Sequence, residues 1–308
     1  MKEKKADNRI RTGDLFITSE SLYQLSHIGL CFGFVRNALR YYSDSPGIMS
    51  REDLTMNKKI DLSGNMLKII ACITMLIDHI GASLIGTWMV QIEDITLYAQ
   101  VYNLYMGMRI IGRLAFPIYI FLLVEGFYYT HSRKNYLIRL TVFMILSDVP
   151  FDMALYLSNE SIAAGQFYAL YAQNVYFTLV IGFLGMLLAE LIIDTFAERW
   201  KRVLLNIAVM LLCMFLAEQL CTDYGMAGIA AIFAAYYLRD YSKELEMAVI
   251  VLMLTALSSA TEIWALIDVV LVFFYHGNRG KKQMNKWFFY AFYPVHLLIL
   301  AILKMVIF

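Results

Sequence analysis

The sequence predicts an all-α polytopic membrane protein of about nine transmembrane helices, and three observations carry that reading. Of 308 residues, 60% are hydrophobic and 17% charged, against near half and near a quarter in soluble domains. Apolar runs of roughly 20 residues, the length that crosses a bilayer core, recur along the chain. Among the connections between those runs, only alternate ones hold lysine or arginine. The 26 basic and 25 acidic side chains nearly cancel to a net charge of +1, which provides no field for a nucleic-acid partner.

Residues 1–58 form a polar segment with one weakly apolar stretch, LSHIGLCFGFV. That stretch lies too far from the start, and lacks the small-residue cleavage site, for a secretory signal. RIRTGDLFITSESLYQLSHIG resembles translated non-coding sequence. Translation is therefore expected to begin at Met56, with residues 1–58 a disordered or spurious extension and residues 59–308 the membrane domain. Cys31, Cys72, Cys213 and Cys221 lack the paired spacing of a zinc site or disulfide framework, so no metal is expected.

Six long runs lie at about 66–86, 107–128, 137–157, 174–195, 203–221 and 287–307. Three shorter ones, near 224–238, 246–260 and 263–275, fit either tilted spans or re-entrant helices. If all nine cross, one set of connections holds Lys58, Lys59, Arg133, Lys134, Arg139, Arg199, Lys201, Arg202, Arg239, Lys243, Arg279, Lys281, Lys282 and Lys286. The opposite set, at 87–106, 158–173, 221–223 and 260–262, holds neither lysine nor arginine. The positive-inside rule then puts the start of the first span in the cytoplasm and the chain end outside. The aromatic-rich connection 87–106 is expected to lie along the interface as a short helix.

Charged groups inside a bilayer are costly and need partners or a task. Lys68 and His79 are separated by about 1,100° of helical turn, which puts them on one face roughly 16 Å apart along the axis. Lys68 either snorkels to lipid phosphates or lines a groove with His79. Asp78 lies beside His79 on a neighbouring face. Arg109 and Arg113 sit one turn apart in the second run and need anionic partners. Arg113 falls at a depth similar to Asp148 and Asp152, so it either forms a structural ion pair with one of them or belongs to a chamber with His79. Pro117 and Pro150 free carbonyls that are tolerable only against protein or a cavity. Asn174, Thr178, Glu218, Asp223 and Asp268 are expected to satisfy helix ends or neighbouring backbone, with Asp223 a further pocket candidate. His296, two residues after Pro294, either bonds across helices or joins His79.

Taken in order, LKIIACITMLIDHIG, RIIGRLAFPIYIFLLVEGF, LSDVPFD, NVYFTLVIG, DYGMAGI and FYAFYPVHL resemble the TraX family over about 60–307. Founding members of that family acetylate the pilin N-terminus in conjugation systems. The Lys68 to His79 spacing also resembles the basic residue, ten residues, then histidine pattern of wider integral-membrane acyltransferases. The resemblance implies a bacterial cytoplasmic-membrane enzyme moving an acetyl group from cytosolic acetyl-CoA to an amine or hydroxyl on a protein N-terminus or cell-surface glycan outside. It further implies His79 as catalytic base, Lys68 and Arg109 at the donor, and Arg109 or Arg113 at the reacting carbonyl. Asp78 or another outer carboxylate is expected to orient the imidazole. The rival reading is a proton- or ion-coupled transporter built on the same His, Asp and Arg layer.

Overall fold

The computed structural model describes residues 62–169, 171–278, 280 and 285–308. The N-terminal segment with Met56, Lys58 and Lys59, and the loop residues Arg279, Lys281 and Lys282, lie outside the described residues. Within them the regular elements are helices, joined by two isolated bridges, Leu62 to Tyr275 and Gln173 to Thr222.

Helix α1 covers Gly64–Val90. The Ser63 side chain caps it by accepting from the Met66 amide, and it widens into a π turn at Gly81–Ile85, directly after Asp78 and His79. Asp94 caps α2 (Ile95–Gly112) by accepting from the Thr96 and Leu97 amides. A break at Arg113 and Leu114 leads into α3 (Ala115–Tyr129). Next come α4 (Arg133–Leu155), the short α5 (Asn159–Ala163), α6 (Val175–Thr195), α7 (Arg199–Gln219), α8 (Gly225–Leu238) and α9 (Lys243–Leu257). A 3-10 segment, Ala260–Leu266, precedes α10 (Ile267–Phe273), and α11 (Lys286–Ile307) ends the chain.

All nine apolar runs fall in helices, but the helices are unequal. Among the described residues, five stretches are long and apolar enough to cross a membrane: Gly64–Val90, Ile95–Tyr129, Val175–Thr195, Arg199–Gln219 and Lys286–Ile307. Helix α4 has 23 residues but carries Arg133, Lys134, Arg139, Asp148 and Asp152. Helix α8, with 14 residues, is about 21 Å long, short of the roughly 30 Å hydrocarbon core. Its alanine-rich sequence is buried on nearly every side, so its shortness is covered by protein. Gly182 of α6 permits that close seat, since a Cβ there would come 2.5 Å from Ile232 Cδ1. Small residues allow such approach between membrane helices.

The connection at 87–106 differs from expectation. Instead of a separate surface helix, α1 continues to Val90 and α2 starts at Ile95, so the two form a hairpin with a tight turn. The Asp94 cap lets α2 begin early, and α2 packs back along α1.

The basic helix ends are joined by contact at one end of the bundle. Arg133 of α4 pairs with Glu190 of α6, and Arg239, after α8, pairs with Glu125 of α3 at 3.4 Å. Lys68 of α1 lies 5.3 Å above the Phe289 ring of α11. The Leu62 amide, before α1, donates to the Phe274 carbonyl after α10. At the other end, Lys304 of α11 is buried and its Nζ donates to the carbonyls of Met153, Ala154 and Leu157 at 2.6, 3.1 and 2.8 Å. Those are orphan carbonyls at the C-terminal end of α4, where a cation also meets the negative end of the helix dipole.

Candidate functional site

Adjacent helical residues point about 100° apart, so Asp78 and His79 serve different neighbours. Asp78 faces α2. Its Oδ2 accepts from Arg109 Nη1 at 2.6 Å and its Oδ1 from Arg113 Nη2 at 3.1 Å. Arg113 is fully engaged: Nη1 donates to Glu262 Oε1 at 2.8 Å and Nε donates to the Arg109 carbonyl at 3.1 Å. Glu262, from the 3-10 segment, is 0% exposed. Two guanidiniums thus face two carboxylates, and Arg113 ties α1, α2 and the 3-10 segment together. Arg109, more open at 30% side-chain exposure, spends Nη1 on Asp78. Asp223 lies within electrostatic reach of Arg113, Asp78, Arg109 and Glu262.

His79 faces α11 instead. Its Nδ1 lies 2.7 Å from His296 Nε2, both residues being buried. The ring planes differ by only 6° with centroids 5.0 Å apart, a separation that one in-plane hydrogen bond and two ring radii nearly fill. His296 Nδ1 lies 2.7 Å from the Phe292 carbonyl of its own helix. Tyr293 stands edge-on to both imidazoles at 5.8 and 5.7 Å. Pro294 has no amide for the Tyr290 carbonyl one turn back, and the Tyr176 hydroxyl of α6 donates to that carbonyl at 3.3 Å. The proline break therefore fastens this part of α11 to α6.

Between Lys68 and His79 on α1, Cys72 Sγ lies 3.3 Å from the Tyr119 hydroxyl of α3. Lys68, Cys72 and His79 together form a polar line through the α1 face, reaching α11 at Phe289 and at His296. Farther along α1 and α2, an open depression of about 240 Å³ is lined by Gly86, Met89, Val90, Tyr98 and Tyr105. Tyr105 is one turn from Arg109 along α2.

Three expectations need correction. Arg113 pairs with Asp78 and Glu262, not with Asp148 or Asp152. Those two aspartates instead hold the segment before α6. Asp148 Oδ1 accepts from Asn174 Nδ2 at 3.1 Å, and Asp152 Oδ2 accepts from the Ala169 amide at 2.7 Å. Asp78 does not orient His79, because its oxygens are committed to arginines and His79 has His296. Thr178 donates to the Thr222 hydroxyl, while Asn174 and Glu218 behave as helix-end partners, accepting from the Tyr176 and Met226 amides. Asp268 does not, since among the described residues neither of its buried oxygens has a hydrogen-bond partner.

Sequence reasoning missed Glu262 and Lys304. Glu262 carries a visible signal, an acid inside the apolar ATEIWALIDVV, but in sequence 260–262 has the form of a short connection between two apolar runs. Among the described residues, no three His, Cys, Asp or Glu side chains gather as a metal site.

Fold and site together define a polytopic α-helical membrane protein with a buried histidine pair beside an arginine–carboxylate cluster. The chain belongs to the TraX family, whose model, described as TraX protein, matches residues 63–304. It is also similar to the probable fimbrial assembly protein FimC, serogroup H1, of Dichelobacter nodosus, at 26% identity over 270 residues, covering 81% of this chain and 99% of the relative. No solved structure matches.

Proposed function

We propose that the protein is a membrane acetyltransferase that takes acetyl groups from cytosolic acetyl-CoA and transfers them to an amine or hydroxyl on the outer side of the bacterial cytoplasmic membrane. The observation that carries this reading is the buried His79–His296 pair, set about 16 Å along α1 from Lys68 and beside the arginine cluster. A buried imidazole held by a hydrogen bond on one nitrogen suits general-base catalysis at the other. In this reading nine helices cross the membrane, with the end that gathers Arg133, Arg239 and Lys68 in the cytoplasm. The donor enters past Lys68, and His79 removes the proton of the attacking group. Arg109, whose guanidinium is partly open, stabilises the oxyanion of the tetrahedral intermediate. Arg113, with all its nitrogens engaged, positions Asp78 and Arg109.

The family and the relative support a choice of acceptor class. A relative named as a fimbrial assembly protein favours the N-terminus of a pilin-like subunit, with a surface glycan hydroxyl as the other acceptor of suitable chemistry. The test is label transfer from acetyl-CoA, radioactive in the acetyl group, in membranes from expressing cells, beside a His79→Ala control. His79-dependent label in a protein, glycan or lipid fraction is the expected result. No label, together with no acetyl-CoA binding by the purified protein, would overturn the proposal and favour ion-coupled transport.

A further inference from the structure

We infer that His296 is a positioning residue that locks His79 in one tautomer, with the proton on Nδ1 and the lone pair on Nε2. The inference rests on the acetyltransferase reading for its catalytic meaning, but the tautomer itself follows from the hydrogen-bond chain.

A carbonyl oxygen only accepts, so His296 Nδ1, 2.7 Å from the Phe292 carbonyl, carries a hydrogen. In a neutral imidazole the other nitrogen is then bare. His296 Nε2 is therefore an acceptor, and the single proton between it and His79 Nδ1, 2.7 Å away, belongs to His79. That leaves His79 Nε2 with the lone pair. The chain runs from His79 Nδ1–H to His296 Nε2 and from His296 Nδ1–H to the backbone. It cannot reverse, because its last member has no proton to give.

The orientation of His296 is itself held. The Phe292 ring lies 4.8 Å from the imidazole at 26°, Tyr293 stands edge-on, and the Tyr176 hydroxyl anchors the carbonyl that Pro294 leaves open. In many triads a carboxylate fixes the tautomer of the base. Here Asp78, the carboxylate next in sequence, is turned to the arginines, and a second imidazole takes that role.

The reaction then balances without another group. The acceptor nitrogen or oxygen forms a bond to the acetyl carbon while its proton passes to the His79 Nε2 lone pair. His79 becomes an imidazolium whose Nδ1–H still points at His296 Nε2, which stabilises the charge. The C–S bond of the thioester breaks, and the proton on Nε2 passes to the departing CoA sulfur, restoring the starting tautomer.

The test uses the full-length protein, labelled with ¹⁵N-histidine and reconstituted in lipid, with His79 resonances assigned by their loss in His79→Ala. Expected is a protonated, pyrrole-type Nδ1 and a bare, pyridine-type Nε2 on His79. His296→Leu should divide His79 between both tautomers and lower label transfer about 10²-fold. His296→Gln, whose amide oxygen replaces Nε2 as acceptor, should keep the single tautomer and lose less than about tenfold. A wild-type His79 protonated on Nε2 would overturn the inference, as would equal transfer by folded Leu and Gln variants. If the wild type transfers no label, the acetyltransferase reading falls, while the nitrogen spectrum still decides the tautomer.

Discussion

Gly112 of α2 sits so close to Asp78 of α1 that a Cβ built on it would lie 2.2 Å from Asp78 Oδ1 and 2.3 Å from its Cβ. The absence of a side chain at 112 is what lets one carboxylate reach both Arg109 and Arg113. Gly112→Ala should push Asp78 off the arginines, lower stability by about 1–3 kcal/mol and cut label transfer about 10²-fold. Thermal unfolding in detergent and the transfer assay measure the two effects. Unchanged values in both would mean that the helices separate freely at this point.

Arg113 needs its fork, because Nη1 and Nη2 reach different carboxylates on different elements. A lysine is a point charge and cannot span both. Arg113→Lys should lower transfer at least about tenfold, and Arg113→Ala should lose about 3–5 kcal/mol of stability by leaving buried carboxylates unpaired. Glu262→Gln, which keeps an oxygen acceptor, should be milder than either.

Lys304 offers a contrast remote from the chemistry. Lys304→Met keeps the buried stem but strands the carbonyls that Nζ now serves on α4, and should lose about 1–3 kcal/mol. Transfer per folded molecule should stay within about twofold of wild type, since general-base chemistry asks nothing of this lysine. A selective loss of turnover at full stability would give Lys304 a functional part.

Asp152 is expected to act on the loop and not on the acetyl group. Asp152→Leu removes the acceptor for the Ala169 amide and should speed protease cleavage in the 164–173 segment. Protection equal to wild type would show that Asn174 and Asp148 hold this segment alone.

Much of the fold was legible because the bilayer imposes a simple code. Run length marked the apolar segments that fold as helices, five of which among the described residues are long and apolar enough to cross a membrane. The surface helix expected at 87–106 failed because an aromatic-rich connection looks alike whether it lies flat or folds back as a hairpin. In the site, Lys68, His79, Arg109, Arg113 and His296 stood out because charge and imidazole are costly inside apolar runs. Their partners did not. Matching residues by depth leaves Arg113 between an ion pair with Asp148 or Asp152 and a chamber with His79, since depth along a helix can be counted from sequence whereas the rotation of one helix against another cannot.

The sequence by itself determined that this is a helical membrane protein, which residues are too polar to face lipid, and, through six ordered segments, its family. Tertiary structure alone decided the pairings: Asp78 with the arginines, Glu262 with Arg113, and His79 with His296. The physical reason is geometric. Hydrophobic burial acts on every residue according to its own chemistry and can be summed along a chain. A hydrogen bond forms only when two groups from distant segments meet within about 3 Å at a suitable angle, and that meeting is fixed by helix packing. His79 and Asp78 are neighbours in sequence, yet the helical turn sends one to α11 and the other to α2, and that divergence defines the site.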